Sequence, residues 1–225
     1  VKGKRDIIYC MDVENILTVK AVIFVSMTFH ELTHGLVANW LGDDTARLLG
    51  RLTLNPLKHV DPFMTVLLPL FIVVTNMLTG ANAPVFGGAK PVPFNPARIK
   101  YDEWGVALMA LAGPLTNLVL AFISFGCYVC VGGDPTTIAG QVLSVSTAVN
   151  LGFFAFNILP IPPLDGSRVI YALAPDFVRR GMDAVERYGI MLVLVIVLVA
   201  RPLLDSYMRA IISVVIEAFA RVFGV

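Results

Sequence analysis

The stretch Ile16–Leu41, ILTVKAVIFVSMTFHELTHGLVANWL, decides the fold of this chain. It is apolar over a length that can cross a bilayer core, which takes about 20 predominantly apolar residues. A cluster of three ionisable side chains nevertheless stands inside it, at His30, Glu31 and His34. Because ionisable residues at membrane depth are costly, they serve a function by default. The stretch therefore predicts a first membrane helix that carries a functional site.

The composition of the whole chain also favours a membrane protein. Residues of the set AVILMFWYC make up 57% of the 225 residues, charged residues make up 15%, and the mean hydropathy is +0.79. Soluble domains carry roughly 25% charged residues, so this chain lacks the polar residues that a water-facing surface needs. Its net charge is +1 and its basic residues are scattered, which excludes the basic surface of a nucleic-acid-binding protein. We expect a multi-pass protein of the cell membrane, with the lipid bilayer and no nucleic acid as a partner.

Other apolar stretches predict the remaining helices. Trp104–Val131 and Ile138–Leu159 are each long enough to span a membrane. Phe63–Leu78 is interrupted by proline and asparagine, and Thr79–Asp102 is rich in glycine and proline, which predicts a re-entrant or loop-rich segment. The last stretch, 188–225, predicts a terminal hairpin, or a span with an amphipathic helix.

These stretches together predict an all-α polytopic membrane protein with about four to six transmembrane helices. The re-entrant or loop-rich segment lies between the first two core spans. We expect a single domain over residues 1–225, with its core at about 16–174 and C-terminal helices at 188–225. No internal repeat is visible in the sequence.

The residues His30-Glu31-Leu32-Thr33-His34 match the pattern H-E-x-x-H. Histidines four positions apart lie on one face of a helix, so one metal ion can take an imidazole from each. Glu31 lies beside them, where it can accept a proton from a water molecule that zinc activates. With 3 histidines in the chain, chance produces this pattern in on the order of one sequence in a thousand. The pattern indicates metal-assisted amide hydrolysis; the alternative is a buried histidine pair bonded to neighbouring helices.

A catalytic zinc ion usually has three protein ligands, so a third ligand must lie elsewhere in the chain. The position six residues beyond His34 is Trp40, and the remaining histidine, His59, lies in a polar loop. Asp165 is a carboxylate near membrane depth, preceded by prolines that unwind the chain and followed by Gly166. The spacing leaves two interpretations of Asp165 open, a metal ligand and a helix cap.

Three motifs stand in order along the chain. They are His30-Glu31-x-x-His34-Gly35, Ala112-Gly113-Pro114-Leu115-x-Asn117 and Asn157-Ile158-Leu159-Pro160-Ile161-Pro162-Pro163-Leu164-Asp165-Gly166. Together they resemble the site-2 protease family of intramembrane zinc metalloproteases. Shorter matches, among them Ala89-Lys90-Pro91-Val92-Pro93, look like the compact bacterial branch of that family. The resemblance covers roughly residues 29–168 and departs from the family at Ser167, where many members have a second glycine.

The resemblance implies an intramembrane zinc endopeptidase that hydrolyses a peptide bond within or next to the transmembrane segment of a protein substrate. It implies one zinc ion per chain with His30, His34 and Asp165 as ligands, and Glu31 as the general base. Asn157 matches the family asparagine that precedes the aspartate, and we expect it to bind the substrate backbone or the developing oxyanion.

The loop at 79–102 is our candidate for the element that receives the substrate. Its prolines and glycines cannot continue a helix, so its unpaired backbone groups need partners. An extended substrate could supply them by strand addition. We therefore expect substrate contacts at Lys90, Pro91, Val92 and Pro93; a plain connecting loop is the alternative.

A shared zinc ion also constrains the topology. Both ligand-bearing segments must reach the same depth, and if the helices that lead to His34 and Asp165 run in the same direction, the span at 104–131 must run in the opposite direction.

Two rival functions remain open on the sequence alone. A membrane transporter of metal ions or protons could use the His30, Glu31 and His34 cluster as a relay, although many transporters carry a repeated half. An inactive relative could act as a membrane binding module, although all four proposed catalytic positions hold competent residues. The sequence does not identify the substrate or the oligomeric state.

Overall fold

A computed structural model describes residues 13–61, 67, 71, 74–75 and 90–225 of the chain. Most of the predicted re-entrant segment at 63–78 and the first part of the loop at 79–102 lie outside the described residues.

The described residues form helices joined by turns and loops, with no strand among them. This confirms the predicted all-α class. The helices, numbered along the chain, are α1 (Val13–Trp40), α2 (Thr45–Leu48), α3 (Asp102–Cys130), α4 (Ile138–Asn157), α5 (Gly166–Leu173), α6 (Asp176–Glu186), α7 (Gly189–Val199) and α8 (Arg201–Phe223). Short 3-10 turns lie at Pro56–His59 and Pro96–Arg98.

Three of the described helices are long and apolar enough to cross a membrane. They are the Thr18–Trp40 part of α1, α3 and α4. The apolar stretch Met191–Val199 and α8 make a fourth if they form one broken span, although their axes are bent by 88°. The described residues thus supply three or four of the predicted spans, and the C-terminal pair is a bent unit rather than a tight hairpin.

Helices α3 and α4 form an antiparallel pair. The turn between them contains Gly132 and Gly133, both with positive φ, which glycine adopts at little cost. Thr137 begins α4 because its side chain accepts a hydrogen bond from the Gly140 amide, a typical N-cap contact. Further along the pair, the buried side chains of Asn117 and Asn150 are joined by a hydrogen bond.

Helix α1 runs in the same direction as α4. Near its C-terminal end, Ala38 packs with Val106 and Met109, which lie near the start of α3. The Leu41 carbonyl accepts a hydrogen bond from the Lys100 amide, which ties the end of α1 to the start of α3. Helix α3 therefore runs opposite to α1 and α4, as the shared-ion argument predicted, and the chain after α4 returns to the level of His34.

The C-terminal helix α8 packs against α3 and α4 through aromatic side chains. Phe219 is buried in a cluster with Ala121 and Leu151. Its ring lies 5.1 Å from that of Phe122 and 5.9 Å from that of Phe125, measured between centroids. This helix has no counterpart in the sequence motifs, and the structure shows that it belongs to the packed bundle.

Candidate metal centre

The two motif histidines lie on consecutive turns of α1 and face α3. Their ring centroids are 4.6 Å apart and their planes are nearly perpendicular, at 86°. The Nε2 atoms of His30 and His34 are separated by 3.0 Å. Both side chains are almost buried, with 10% and 12% of their surfaces exposed. The i, i+4 spacing therefore produces the convergent pair that the sequence predicted.

Asp165 reaches the same point from the turn that follows α4. One of its oxygens, Oδ2, lies 3.2 Å from Nε2 of His30 and 3.4 Å from Nε2 of His34. Asp165 occupies the N-cap position of α5, but its side chain makes no capping hydrogen bond. The helix-cap interpretation of Asp165 is therefore wrong, because the carboxylate points to the histidines and not to the helix backbone.

The residues after Asp165 explain how this turn is held. A side chain at Gly166 would collide with the carbonyl of Ile158, so the tight return after α4 needs glycine. Ser167 is buried, and its hydroxyl donates to the Leu164 carbonyl over 2.7 Å. The serine is thus accommodated within its own turn, at the position where the sequence departs from the motif.

The arrangement of these atoms fits a tetrahedral metal ion. The two Nε2 atoms and Oδ2 form a triangle with edges of 3.0, 3.2 and 3.4 Å. Zinc binds histidine nitrogen and carboxylate oxygen at about 2.0–2.2 Å in tetrahedral geometry, which separates any two ligand atoms by about 3.3–3.6 Å. The triangle has nearly the size of one face of such a tetrahedron.

The hydrogen bonds of the imidazoles also favour a metal ion. His34 Nδ1 lies 2.8 Å from the Met109 carbonyl, and His30 Nδ1 lies 2.6 Å from Oδ1 of Asn117. Both partners are oxygen acceptors, so the Nδ1 atoms carry the protons and the Nε2 atoms are left with lone pairs. Two nitrogen lone pairs and a carboxylate oxygen repel one another unless a metal ion or a proton lies between them.

Gly113 of α3 makes room for this cluster. An ideal Cβ atom at this position would lie 2.6 Å from Nε2 and from Cε1 of His30, and in contact with Nε2 of His34. Real Cβ atoms do not approach other atoms so closely. The backbone of α3 therefore lies directly against the two rings, and any side chain at Gly113 would enter the space of the candidate ligands.

Glu31 lines a cavity of about 230 Å³ beside the cluster. One of its carboxylate oxygens, Oε2, accepts a hydrogen bond of 2.9 Å from the backbone amide of Val92. The other oxygen has no hydrogen-bond partner among the described residues, which leaves it able to accept a proton. The cavity wall carries further predicted site residues: His30, His34, Pro91, Val92, Asn157 and Asp165.

The segment that includes Val92 is fastened at both ends. At one end the Lys90 amide donates to the His59 carbonyl over 2.8 Å, and the Arg51 guanidinium donates to the Lys90 carbonyl over 2.9 Å. At the other end the Asn95 amide donates to a carboxylate oxygen of the fully buried Asp43 over 2.7 Å. The described part of the predicted substrate-binding loop is therefore held against Glu31.

The structure separates the four loop residues that the sequence singled out. Pro91 and Val92 lie on the cavity wall. Lys90 is exposed, and neither Lys90 nor Pro93 lines the cavity. Asn157 lies on the wall and donates to the Phe153 carbonyl of its own helix over 3.0 Å.

Several known proteins are similar to this chain in sequence. The sequence model of peptidase family M50 matches residues 18–141. YwhC of Bacillus subtilis, named "Putative zinc metalloprotease", is 41% identical over 181 residues, and the match covers 77% of this chain and 77% of the relative. The chain belongs to peptidase family M50. This is the site-2 protease family, so the predicted family is confirmed.

More distant relatives agree with this assignment. The Rip2 proteins of Mycolicibacterium smegmatis and of Mycobacterium tuberculosis strain H37Rv share the name given to YwhC. They are 28% and 24% identical to the M50 chain, over 77% of its length and 64% of theirs. No solved structure matches the chain. The protein is a zinc metalloprotease of family M50, which confirms the predicted cofactor.

Four features of this M50 site were missed by reasoning from the sequence. The Met109 carbonyl, the side chains of Asn117 and Asn150, and the Val92 amide all contact site residues or their partners. Asn117 belongs to one of the motifs, which assigns it no role, and Asn150 belongs to none of them. The available signal was a polar amide inside an apolar helix, which is costly unless it is hydrogen-bonded.

Proposed function

We propose that this M50 peptidase is an intramembrane endopeptidase that cleaves a peptide bond within or next to the transmembrane segment of a protein substrate. His30, His34 and Asp165 hold the zinc ion and Glu31 is the general base. The observation that carries the proposal is the convergence of three candidate ligand atoms within 3.4 Å inside a bundle of membrane-length helices.

Each residue has a role that its contacts support. When bound, zinc supplies a Lewis acid that polarises a carbonyl group and lowers the pKa of water toward neutrality. Glu31 takes the proton of the attacking water on its unpaired carboxylate oxygen and later passes it to the leaving amine. The Val92 amide holds the other oxygen of Glu31, which fixes the direction of the carboxylate. Asn157, on the same wall, is placed to donate to the substrate backbone or to the oxyanion.

The position of the site supports a substrate inside the membrane. His30 and His34 belong to the apolar stretch Thr18–Trp40, not to a water-facing domain. A peptide bond can reach them if a transmembrane segment unwinds beside α1 and α3. The cavity wall formed by Pro91 and Val92 would then receive the extended backbone next to Glu31.

The decisive test uses purified protein in lipid vesicles with a single-span model substrate. We expect Glu31→Gln to keep about one zinc ion per chain but to lose cleavage by at least about 100-fold, because the amide cannot accept the proton. Asp165→Ala should lose both zinc and cleavage. The matched control is Glu217→Gln, an exposed carboxylate on α8 that pairs with Arg221, and it should retain both.

Three results would overturn the proposal. Substantial cleavage by Glu31→Gln would require a different base. Full zinc occupancy in Asp165→Ala would remove this aspartate from the ligand set. A wild-type protein that binds zinc but cleaves no transmembrane substrate would favour the inactive binding module.

Substrate contact at the loop needs a separate test. Single cysteines at Lys90, Val92 and Phe94 would be crosslinked to the substrate in the Glu31→Gln background, with the three native cysteines replaced by serine. We expect crosslinks at these positions and none at a control cysteine at Arg180 on α6. Crosslinks elsewhere around the cavity but none at 90–94 would identify the segment as a plain connection.

The transporter interpretation has lost its support. It rested on the histidine and glutamate cluster alone, and the chain belongs to a family of peptidases.

A further inference from the structure

We propose that Asn150 on α4 is a positioning residue for the zinc ion, acting on His30 through Asn117. The proposal rests on the proposed function in one respect, the role of His30 as a zinc ligand. It assigns a task to a side chain that touches neither the ligand atoms nor the cavity.

Three consecutive hydrogen bonds connect α4 to the imidazole of His30. Asn150 Nδ2 donates to the main-chain carbonyl of Ser146 over 2.9 Å. Asn150 Oδ1 accepts from Asn117 Nδ2 over 2.9 Å, and Asn117 Oδ1 accepts from His30 Nδ1 over 2.6 Å. Asn117 and Asn150 are 0% and 1% exposed, so water does not compete for these groups.

The Ser146 carbonyl, at the end of this series, fixes the direction of all three hydrogen bonds. A main-chain carbonyl can only accept, so the NH₂ group of Asn150 must face Ser146 and its oxygen must face Asn117. Asn117 then presents its own NH₂ group to Asn150 and its oxygen to His30. The proton of His30 is thereby held on Nδ1, and Nε2 keeps the lone pair that a metal ion needs.

His34 is held by a hydrogen bond to the main chain. His34 Nδ1 donates directly to the Met109 carbonyl, an acceptor that cannot rotate. The amide of Asn117, in contrast, presents either oxygen or nitrogen after a half-turn about its last torsion. Without Asn150, a turned Asn117 would donate to Nδ1 of His30 and favour the proton on Nε2, the form that cannot bind zinc. The oxygen of Asn150 accepts from the NH₂ group of Asn117 and so favours the orientation in which Asn117 presents its oxygen to His30.

The test compares two substitutions of Asn150 with a control on the same helix. Asn150→Leu removes the acceptor for Asn117. Asn150→Asp keeps that acceptor and, when protonated, also keeps a donor for Ser146. The control is Thr147→Val, since Thr147 is buried on α4 and, among the described residues, its hydroxyl bonds only the Leu143 carbonyl of the same helix. Zinc affinity is measured by chelator competition, and the ligand field by the visible spectrum of the cobalt-substituted protein.

We expect Asn150→Leu to weaken zinc binding by about 10–100-fold, the usual effect of losing a group that orients a ligand. Asn150→Asp should bind zinc more tightly than Asn150→Leu, with a cobalt spectrum closer to wild type, and Thr147→Val should match wild type. A purely structural role predicts the opposite order for the two Asn150 variants, because an acid is harder to bury than leucine.

Two outcomes would overturn the inference. One is an affinity for Asn150→Leu equal to that of Thr147→Val; the other is weaker binding by the aspartate variant than by the leucine variant. A parallel His30→Ala variant separates this failure from failure of the ligand set. If His30→Ala loses zinc while Asn150→Leu does not, only the positioning role is wrong. If His30→Ala binds as tightly as wild type, the ligand assignment itself fails and the inference falls with it.

Discussion

Each half of α3 uses a glycine to make room for aromatic rings, but the rings in the two halves are held in different ways. In the site half, residues 102–117, the backbone at Gly113 lies against the imidazoles of His30 and His34. In the distal half, residues 118–130, Gly126 makes room for the phenyl ring of Phe223 on α8, and an ideal Cβ there would lie 2.5 Å from the end of that ring. Small residues let membrane helices approach closely, and here they admit rings rather than a second backbone.

The two halves differ in how far their aromatic rings can shift without losing contacts. The imidazoles are fixed by hydrogen bonds to Met109 and Asn117, and a shift would separate their nitrogens from Asp165. The phenyl ring of Phe223 is held only by packing, with its centroid 5.1 Å from that of Phe122 and 5.9 Å from that of Phe125. The distal half can therefore adjust to a change that the site half cannot absorb.

The largest expected effect is at Gly113. In Gly113→Ala the added methyl group would displace both imidazoles, and a misplacement of about 1 Å in a catalytic site can cost about 100-fold in rate. We expect zinc affinity and cleavage each to fall by at least about 100-fold, measured by chelator competition and substrate turnover. Gly152→Ala on α4 is the matched control, since no described residue beyond its own stretch of helix lies within 4 Å of its added Cβ. Wild-type zinc affinity in Gly113→Ala would show that the site half is as adaptable as the distal half.

A second comparison concerns two aspartates, each followed two residues later by threonine. Hydrogen bonds from Thr136 lower the pKa of the exposed Asp134 in the α3–α4 turn. At the end of α1, burial acts to raise the pKa of Asp43, but hydrogen bonds from Thr45 and Asn95 outweigh it and hold this pKa below its ordinary value. Asp43, unlike Asp134, therefore adds a long-range contact to its hydrogen bonds with threonine. Its partner Asn95 belongs to the segment whose Val92 amide holds Glu31.

This contact predicts a stability loss that depends on pH. A lowered folded-state pKa stabilises the protein above the ordinary value of 3.8, and the contribution disappears as the pH falls through the folded-state value. We expect Asp43→Asn to cost about 1–2 kcal/mol at pH 7, from the loss of hydrogen bonds to a charged group, and progressively less as the pH falls below 3.8 and through the folded-state pKa. The measurement is thermal unfolding of metal-free protein against pH. Asp134→Asn should shift the unfolding curve less than Asp43→Asn, because the exposed Asp134 bonds only its local threonine; an equal effect at both positions would contradict the role of the Asn95 contact.

The smallest effect is expected in the distal half. Gly126→Ala forces the ring of Phe223 aside at a cost of about 1 kcal/mol, at the low end for an overpacked site because the clash is with the far end of a side chain. Thermal unfolding should shift slightly, while zinc content and cleavage stay at wild-type values. Adding Phe223→Leu should restore the unfolding temperature. Loss of zinc from Gly126→Ala would mean that the two halves are coupled through α3.

The class of protein and half of the site followed from the sequence because they depend on local or summed properties. Composition counts every residue, so it identifies a membrane protein without any contact being known. The pair His30 and His34 needs only the helical repeat, which fixes their common face. The local context of Asp165 left a metal ligand and a helix cap open, and only a motif resemblance favoured the ligand, since nothing local indicates that a residue so far along the chain meets the histidines.

The tertiary structure alone decided which residues surround the ligands. Asn150 meets Asn117, and the Val92 amide meets Glu31, only because α1, α3 and α4 pack with one particular rotation and register. Apolar side chains of a membrane helix face lipid as readily as a neighbouring helix, so the hydrophobic pattern does not mark the packed face. For the same reason the sequence left the role of α8 open. The contact between Gly126 and Phe223 was settled by shape complementarity, which no periodicity in the sequence encodes.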